Sequence, residues 1–147
     1  MGNDNFFNYF GYASNLKTSV LEARIGDKVA SHIQGRLIDY GFCYNRRNDD
    51  GTARANIIVS ESEDVFGVLY RIDARHRDTL LKTEPGYRLV QLPVETGSGV
   101  EQAFTFISDE DVEGIYPTAE YLKTILQGAK EHSLPGEYVD FIKSLAK

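Results

Sequence analysis

The sequence predicts an α+β fold built on a curved, mostly antiparallel or mixed sheet. Strand-like segments cluster around one central helical segment, and the chain ends in two consecutive helical patterns. The regular βαβ alternation of a doubly wound fold is absent. The 147 residues, 41% of them hydrophobic, are enough for one domain, residues 1–147, that buries a core without disulfides or a structural metal.

The first half of the chain is mainly strand-like. The aromatic segment FFNYFGY, bounded by turn residues, predicts a buried strand. A short helix follows, with Val20, Leu21 and Ile25 at helical spacing and Gly26 at its end. Next comes a long strand over IQGRLIDYGFCYNRR and a turn at NDDG. Two further strands are predicted over ARANIIVSE and DVFGVLYRID.

The second half contains a helix, a hairpin and a helical pair. ARHRDTLLKTE predicts a helix with Asp73 as its N-cap and Pro85 as its stop. YRLVQLPVE and VEQAFTFIS flank the turn TGSG and predict a hairpin. Each closing helix has an apolar stripe, formed by Leu122, Ile125, Leu126 and Ala129 in the first and by Tyr138, Phe141, Ile142 and Leu145 in the second.

Composition and charge exclude several classes of function. Sixteen Lys and Arg residues stand against 22 Asp and Glu residues, which gives a net charge of -6. Because no Lys/Arg stripe offsets this field, we expect no nucleic-acid partner. The N-terminal MGNDNFFNYF lacks the basic and apolar regions of a signal peptide, and no segment approaches the length of a membrane span. With Cys43 as the single cysteine, we expect a cytoplasmic protein without disulfides.

The common catalytic motifs are also missing. His32, His76 and His132 lie far apart in the sequence and lack partners at metal-ligand spacing, so we expect no metal site. Cys43 lies mid-strand among aromatic residues, which favours a small buried side chain over a nucleophile. Neither a G-x-S-x-G elbow nor a Walker-type loop is present.

Glu84 is the candidate for acid/base chemistry. Leu80 and Leu81 precede it by four and three positions, so its carboxylate extends an apolar helix face. Pro85 restricts Glu84 to non-helical backbone and places it where helix and strand meet. Desolvation there would favour the protonated form that a general acid needs. The alternative is a helix-end glutamate that is solvated or paired with an arginine such as Arg88.

The segment FGYASNL, residues 10–16, is the second candidate. It marks the change from strand to helix, and Ser14 or Asn15 would cap that helix. The N–H groups of residues 13–16 precede the helix as well, so they suit an anion such as a carboxylate. The two interpretations are compatible.

Three separated motifs resemble one family. YASNL, Tyr12 to Leu16, resembles the Tyr-Gly-Ser-Asn-Leu signature of the gamma-glutamylcyclotransferase superfamily, which includes the AIG2-like proteins. VFGVLYRID, followed by a helix that ends in TEPGY, is similar to the second signature, which supplies the family's glutamate. The segment YLKTILQGAKEHSLPGEYVDFI is similar to the end of the gamma-glutamylcyclotransferase branch. The set spans nearly the whole chain.

The resemblance implies a small barrel-like sheet with flanking helices, a polar cavity at one end and no cofactor. It also implies an enzyme that converts a γ-glutamyl amino acid or amide to 5-oxoproline and the released amine. Glu84 matches the acid/base position. A homodimer is plausible by resemblance. The implied substrate-binding residues are Tyr12, Ala13, Ser14, Asn15, Leu16, Tyr121 and Tyr138.

The chain departs from the family pattern at two positions. Ala13 replaces a glycine whose lack of a side chain allows positive φ and close approach of a ligand. Pro85 follows Glu84 where glycine is common. Two alternatives to the leading hypothesis remain: a γ-glutamylamine cyclotransferase, and a non-catalytic module that binds a carboxylate. By periodicity alone, Tyr138 fits a core position.

Overall fold

In the computed structural model, which describes residues 5–147, five strands close into a barrel; the first four residues of the predicted domain lie outside that range. The strands are β1 (Phe6–Gly11), β2 (Ser31–Arg47), β3 (Ala53–Asp73), β4 (Arg88–Thr96) and β5 (Gly99–Ile107). Their order around the barrel is β1-β3-β2-β4-β5. All pairs are antiparallel except β1 with β5, so the predicted mixed, barrel-like sheet is confirmed.

The barrel is flanked by four helices within the described part of the chain: α1 (Thr18–Ile25), α2 (Arg77–Lys82), α3 (Ala119–Glu131) and α4 (Gly136–Ser144). Gly26 ends α1 with φ 74°, as predicted. Thr118 caps α3 by accepting a hydrogen bond from the Tyr121 N–H. The predicted stripe of α4 is buried at Ile142, whereas Phe141 is exposed. Across residues 5–147, none of the helices combines the length and the apolar character that a bilayer crossing requires.

The two strands predicted between residues 53 and 73 are one bent strand, β3. It pairs with β2 along nearly its whole length, with a register shift between Ile38 and Tyr40. At the bend, Asp39 and Ser62 both adopt positive φ, and the Asp39 carboxylate accepts a hydrogen bond from the Ser62 N–H at 3.1 Å. Ile38 pairs with Asp64 and Tyr40 with Val59, so residues 60–63 of β3 lie opposite Asp39 alone, and the pairing continues on either side of them.

The segment before Glu84 begins with a turn of 3-10 helix, Ala74–His76, and continues as α2. The Asp73 side chain accepts the Arg75 N–H and caps the 3-10 turn, as predicted for this residue. Because α2 ends at Lys82, Glu84 lies in the turn between α2 and β4. Leu80 is buried, but Leu81 is 40% exposed, so only one of the two leucines belongs to the core face.

Candidate active site

The segment after β1 forms a single turn of 3-10 helix, Ser14–Leu16. Neither this turn nor α1 has a side-chain N-cap, so the prediction that Ser14 or Asn15 caps the helix is wrong. Both side chains instead accept hydrogen bonds from Arg24 Nη1, Ser14 Oγ at 2.9 Å and Asn15 Oδ1 at 2.7 Å. Arg24 lies in the last turn of α1. Arg24 therefore connects the last turn of α1 to the loop that precedes this helix, and its positive charge lies beside that loop.

Backbone hydrogen bonds already occupy part of the set of N–H groups that was expected to bind an anion. The Leu16 N–H donates to the Ala13 carbonyl and the Lys17 N–H donates to the Ser14 carbonyl. Asn15 holds the loop to β1, because its Nδ2 donates to the Tyr9 hydroxyl at 2.9 Å. These hydrogen bonds fix the polar groups of the loop, and the guanidinium of Arg24 lies next to them.

Ala13 accommodates its methyl group without a left-handed backbone. Its φ is -132° and its ψ is -118°, so this position does not use the positive φ that favours glycine. Ala13 lies at the wall of the cavity described below.

Glu84 is a buried carboxylate with a defined partner. It is 6% exposed and accepts two hydrogen bonds from Arg54 Nη2, at 2.6 Å to Oε2 and 2.8 Å to Oε1. Arg24 Nη1 lies 3.7 Å from Oε1. Arg88 pairs with Asp109, so the sequence alternative of an ion pair is realised with Arg54. A partner of opposite charge offsets the cost of burying the carboxylate.

Two arginines of the β2–β3 hairpin contact the turn that contains Glu84. Arg46 and Arg54 are opposite each other across the two strands, and their guanidinium carbons lie 5.1 and 5.5 Å from the centre of the Tyr87 ring. Such contacts place a cation over an aromatic face. Arg46 Nη2 also donates to the Pro85 carbonyl at 2.7 Å. Two arginines therefore fix the turn, one through its backbone and one through the glutamate.

Glu84 and the loop face each other across a small cavity of about 20 Å³, room for about one water molecule. A larger molecule enters only when lining side chains move. Residues from the loop, from β1, β3 and β5, from the turn and from α3 form its wall: Tyr9, Tyr12, Ala13, Ser14, Asn15, Arg54, Ala55, Glu84, Tyr87, Phe106 and Tyr121.

The tyrosine hydroxyls at the cavity are structural donors and acceptors. Tyr12 donates to the Phe106 carbonyl at 2.7 Å, and Tyr87 donates to the Ala55 carbonyl at 2.5 Å. Tyr121 accepts the Ala55 N–H at 3.0 Å. Burial raises the pKa of Tyr12, Tyr87 and Tyr121, so these phenols stay protonated at neutral pH. Among the lining side chains, Glu84 is the carboxylate.

Arg54 keeps its charge in this setting. Burial by itself would lower the pKa of Arg54, but the nearby Glu84 carboxylate raises it, and the net direction is upward. The cavity thus contains a fixed cation next to its carboxylate.

Two of the predicted binding residues lie elsewhere. Leu16 is fully buried in the core beneath the loop. Tyr138, on α4, is buried against Phe66 with ring centres 5.0 Å apart, and it is not among the residues that line the cavity. The core position expected from its periodicity matches this packing. Tyr12, Ala13, Ser14, Asn15, Tyr121 and Glu84 are brought together.

Sequence reasoning missed part of the site, namely Tyr9, Arg24, Arg54, Tyr87 and Phe106. One signal was available, because Tyr87 ends the motif TEPGY that also contains Glu84. The positions of Tyr9 and Phe106 depend on barrel closure, and no local pattern marks them.

The fold also brings together two histidines that are distant in sequence. The rings of His32 and His132 lie 5.0 Å apart in an edge-to-face arrangement. Throughout residues 5–147, no group of three or more His, Cys, Asp or Glu side chains is arranged to hold a metal ion.

Comparison with known proteins agrees with this architecture. The chain is 28% identical over 147 residues to gamma-glutamylcyclotransferase from Mus musculus, covering 95% of this chain and 78% of that protein. The Homo sapiens gamma-glutamylcyclotransferase is 26% identical with the same coverage. A solved structure of a gamma-glutamyl cyclotransferase superposes with a TM-score of 0.82 at 25% identity, over 94% of this chain and 86% of that one. The AIG2-like family model matches residues 64–142, more than half of the sequence, and the chain therefore belongs to the AIG2-like family.

Proposed function

We propose that this protein is a gamma-glutamylcyclotransferase that converts a small γ-glutamyl compound to 5-oxoproline and releases the amine. The supporting observation is the buried Glu84 carboxylate facing the Tyr12–Asn15 loop across one cavity. The relatives named for this activity, at 26–28% identity, favour the same proposal.

The reaction needs no protein nucleophile. The α-amine of the substrate attacks its own γ-carbonyl, the new C–N bond closes the ring, and the original amide C–N bond breaks. Two protons leave the α-ammonium nitrogen and two reach the leaving nitrogen, which departs as an ammonium. Glu84 accepts protons from the first nitrogen and donates them to the second, as general base and then general acid. The intramolecular attack benefits from proximity, with effective molarities of about 10⁵–10⁸ M in favourable cases.

The loop and Arg24 supply the binding half of this proposal. Ser14, Asn15 and the guanidinium of Arg24 form one hydrogen-bonded group next to the cavity. A substrate α-carboxylate at this group would lie near a fixed cation, and its α-amine would point toward Glu84. In a chain of net charge -6, such a local cation attracts an anionic substrate against the overall field.

Glu84→Gln tests the role of the carboxylate. The amide keeps the size of the side chain, replaces one acceptor oxygen by an NH2 donor and cannot take or give a proton, so we expect the rate of 5-oxoproline formation to fall by at least about 10²-fold. The assay incubates the protein with a panel of γ-glutamyl amino acids and γ-glutamylamines and detects 5-oxoproline. Circular dichroism verifies that the variant folds.

Retained turnover in folded Glu84→Gln would remove Glu84 from the mechanism. A folded wild-type protein that turns over nothing in the panel would contradict the enzyme proposal.

A non-catalytic carboxylate-binding module is the second candidate. It is favoured by the ion pair with Arg54 that occupies both oxygens of Glu84. This candidate predicts saturable binding of γ-glutamyl compounds in calorimetry without any 5-oxoproline. The same panel therefore separates the two.

A further inference from the structure

We propose that Arg54 binds the carboxylate of the leaving amino acid and thereby makes this protein selective for γ-glutamyl amino acids over γ-glutamylamines. This inference rests on the cyclotransferase function proposed above. It assigns to one side chain the choice between two substrate classes that the family resemblance leaves open.

The two cations beside Glu84 have different surroundings. Arg24 Nη1 is already bonded to Ser14 Oγ and Asn15 Oδ1, so this guanidinium belongs to the loop side of the cavity. Arg54 belongs to β3. Within residues 5–147 it makes no hydrogen bond to the side chain of Ser14 or Asn15. Both guanidinium groups lie beside the Glu84 carboxylate, Arg24 on the side of the loop and Arg54 on the side of β3, and of the two it is Arg54 that lines the cavity.

The guanidinium of Arg54 has donors that Glu84 does not use. Both hydrogen bonds to the carboxylate come from Nη2, whereas a guanidinium has five N–H groups arranged in a planar fork. Glu84 does not use the N–H groups of Nε and Nη1, and the Tyr121 hydroxyl also interacts with this guanidinium. The side chain is 20% exposed and lines the cavity, so an incoming carboxylate can reach it.

The chemistry of the leaving group explains why a carboxylate would come to this place. Glu84 must approach the leaving nitrogen to protonate it. In a γ-glutamyl amino acid, that nitrogen is separated from its carboxylate by a single carbon atom. A nitrogen beside Glu84 therefore brings its carboxylate close to Arg54, which is 2.6 Å from the same glutamate. A simple amine has no carboxylate that could bind to Arg54.

Substrate pairs that differ only at this carboxylate test the inference. We expect wild-type protein to use γ-glutamyl-alanine with a kcat/KM about 10- to 100-fold higher than γ-glutamyl-alaninamide, the range of a hydrogen bond to a charged group. Arg54→Lys keeps a positive charge for Glu84 but has a single nitrogen and no fork. A displaced Glu84 would slow both substrates alike, so the readout is the ratio of their kcat/KM values: Arg54→Lys should lose most of the preference, mainly through a higher KM for γ-glutamyl-alanine.

Arg46→Lys is the matched control. Arg46 is the cross-strand partner of Arg54 and lies over the same Tyr87 ring, but it bonds to the Pro85 carbonyl and makes no ion pair with Glu84. This variant should keep the wild-type ratio between the two substrates. A loss of preference in Arg46→Lys equal to that in Arg54→Lys would contradict a direct contact between Arg54 and the substrate.

The outcomes separate the inference from the proposed function. Equal use of both substrates by wild-type protein, or an unchanged preference in Arg54→Lys, overturns the inference and leaves the cyclotransferase function standing. No 5-oxoproline from either substrate overturns the function itself. If Arg54→Lys does not fold, product inhibition of the wild type decides: free alanine should inhibit more strongly than alaninamide, and equal inhibition overturns the inference.

Discussion

At the scale of single residues, the site depends on how a buried charge is compensated. Glu84 was expected to be desolvated at the end of its helix, and it is buried. Its partner is Arg54, which lies 30 positions earlier in the chain. A carboxylate held by one guanidinium nitrogen is fixed in position and still presents its oxygens toward the cavity.

Ala13→Gly tests whether the methyl group at the loop restricts the substrate. Because the φ of Ala13 is negative, glycine gains nothing from its access to positive φ, and the more flexible unfolded chain should lower the free energy of unfolding by about 0.4–1 kcal/mol. We expect kcat/KM for γ-glutamyl-alanine to change by less than about tenfold, 1.4 kcal/mol. Urea unfolding and steady-state kinetics measure the two effects. A larger gain in kcat/KM would mean that the methyl group narrows the pocket.

At the scale of elements, the β2–β3 hairpin and the turn from Glu84 to Tyr87 act together. The hairpin supplies Arg46 and Arg54, and the turn supplies the Pro85 carbonyl, the glutamate and the Tyr87 ring. Because the hairpin residues are cross-strand partners, the register of β2 against β3 sets the position of both guanidinium groups. A change in that register would separate Glu84 from Arg54.

Gly86→Ala tests this clamp, by which we mean the contacts of Arg46 and Arg54 with the turn from Glu84 to Tyr87. Gly86 has φ 88°, and a Cβ built there would lie 1.7 Å from Arg46 Nη2, so the guanidinium would have to leave the Pro85 carbonyl. We expect the free energy of unfolding to fall by about 1–2 kcal/mol from backbone strain, with a further loss from the broken contact. With Glu84 in the acid/base role proposed above, turnover should fall at least about tenfold, because small displacements of such a group are costly.

Gly26→Ala is the control for backbone strain. Gly26 has φ 74°, but a Cβ there meets nothing within 4 Å. This variant should lose about 1–2 kcal/mol of stability and keep its kcat. Chemical denaturation and the 5-oxoproline assay on both variants make the comparison. Equal loss of kcat in the two would show that turnover follows stability and that the clamp has no specific role.

At the scale of the whole molecule, the site exists because the barrel closes. β1 and β5 are the parallel pair that completes it, with Tyr9 opposite Phe104. The buried Thr105 hydroxyl crosses this seam and donates to the Phe10 carbonyl at 2.8 Å. The next residue, Phe106, lines the cavity and accepts the Tyr12 hydroxyl. Closure and cavity therefore share neighbouring residues.

Thr105→Val tests the contribution of this seam. Valine has nearly the same shape, so the change removes the hydrogen bond and leaves the Phe10 carbonyl without this donor. We expect the free energy of unfolding to fall by about 1–3 kcal/mol in urea unfolding. Thr124→Val is the control, because its hydroxyl bonds to the Glu120 carbonyl within the same helix. A loss in Thr124→Val as large as in Thr105→Val would contradict a special role of the seam.

Local sequence patterns were enough to predict most of the elements. The helix end at Gly26, the Asp73 cap and the hairpin around TGSG depend on a few adjacent residues, and all are present. The patterns failed where contacts with residues distant in the sequence outweighed the local preference of the chain. β3 continues through Ser62 because it pairs with β2 on both sides of residues 60–63. Ser14 and Asn15 do not cap a helix because a guanidinium from α1 competes for their oxygens.

The sequence by itself determined that Glu84 falls between α2 and β4 and that the YASNL loop follows β1. Both results come from local backbone chemistry, the restriction that Pro85 imposes and the end of an aromatic strand. Only the tertiary structure decided that these two segments share a cavity, that Arg54 and Arg24 approach the same carboxylate, and that Tyr138 lies outside it. The physical reason is distance along the chain: ion pairs between remote residues follow from strand register and barrel closure, which no short window of sequence contains.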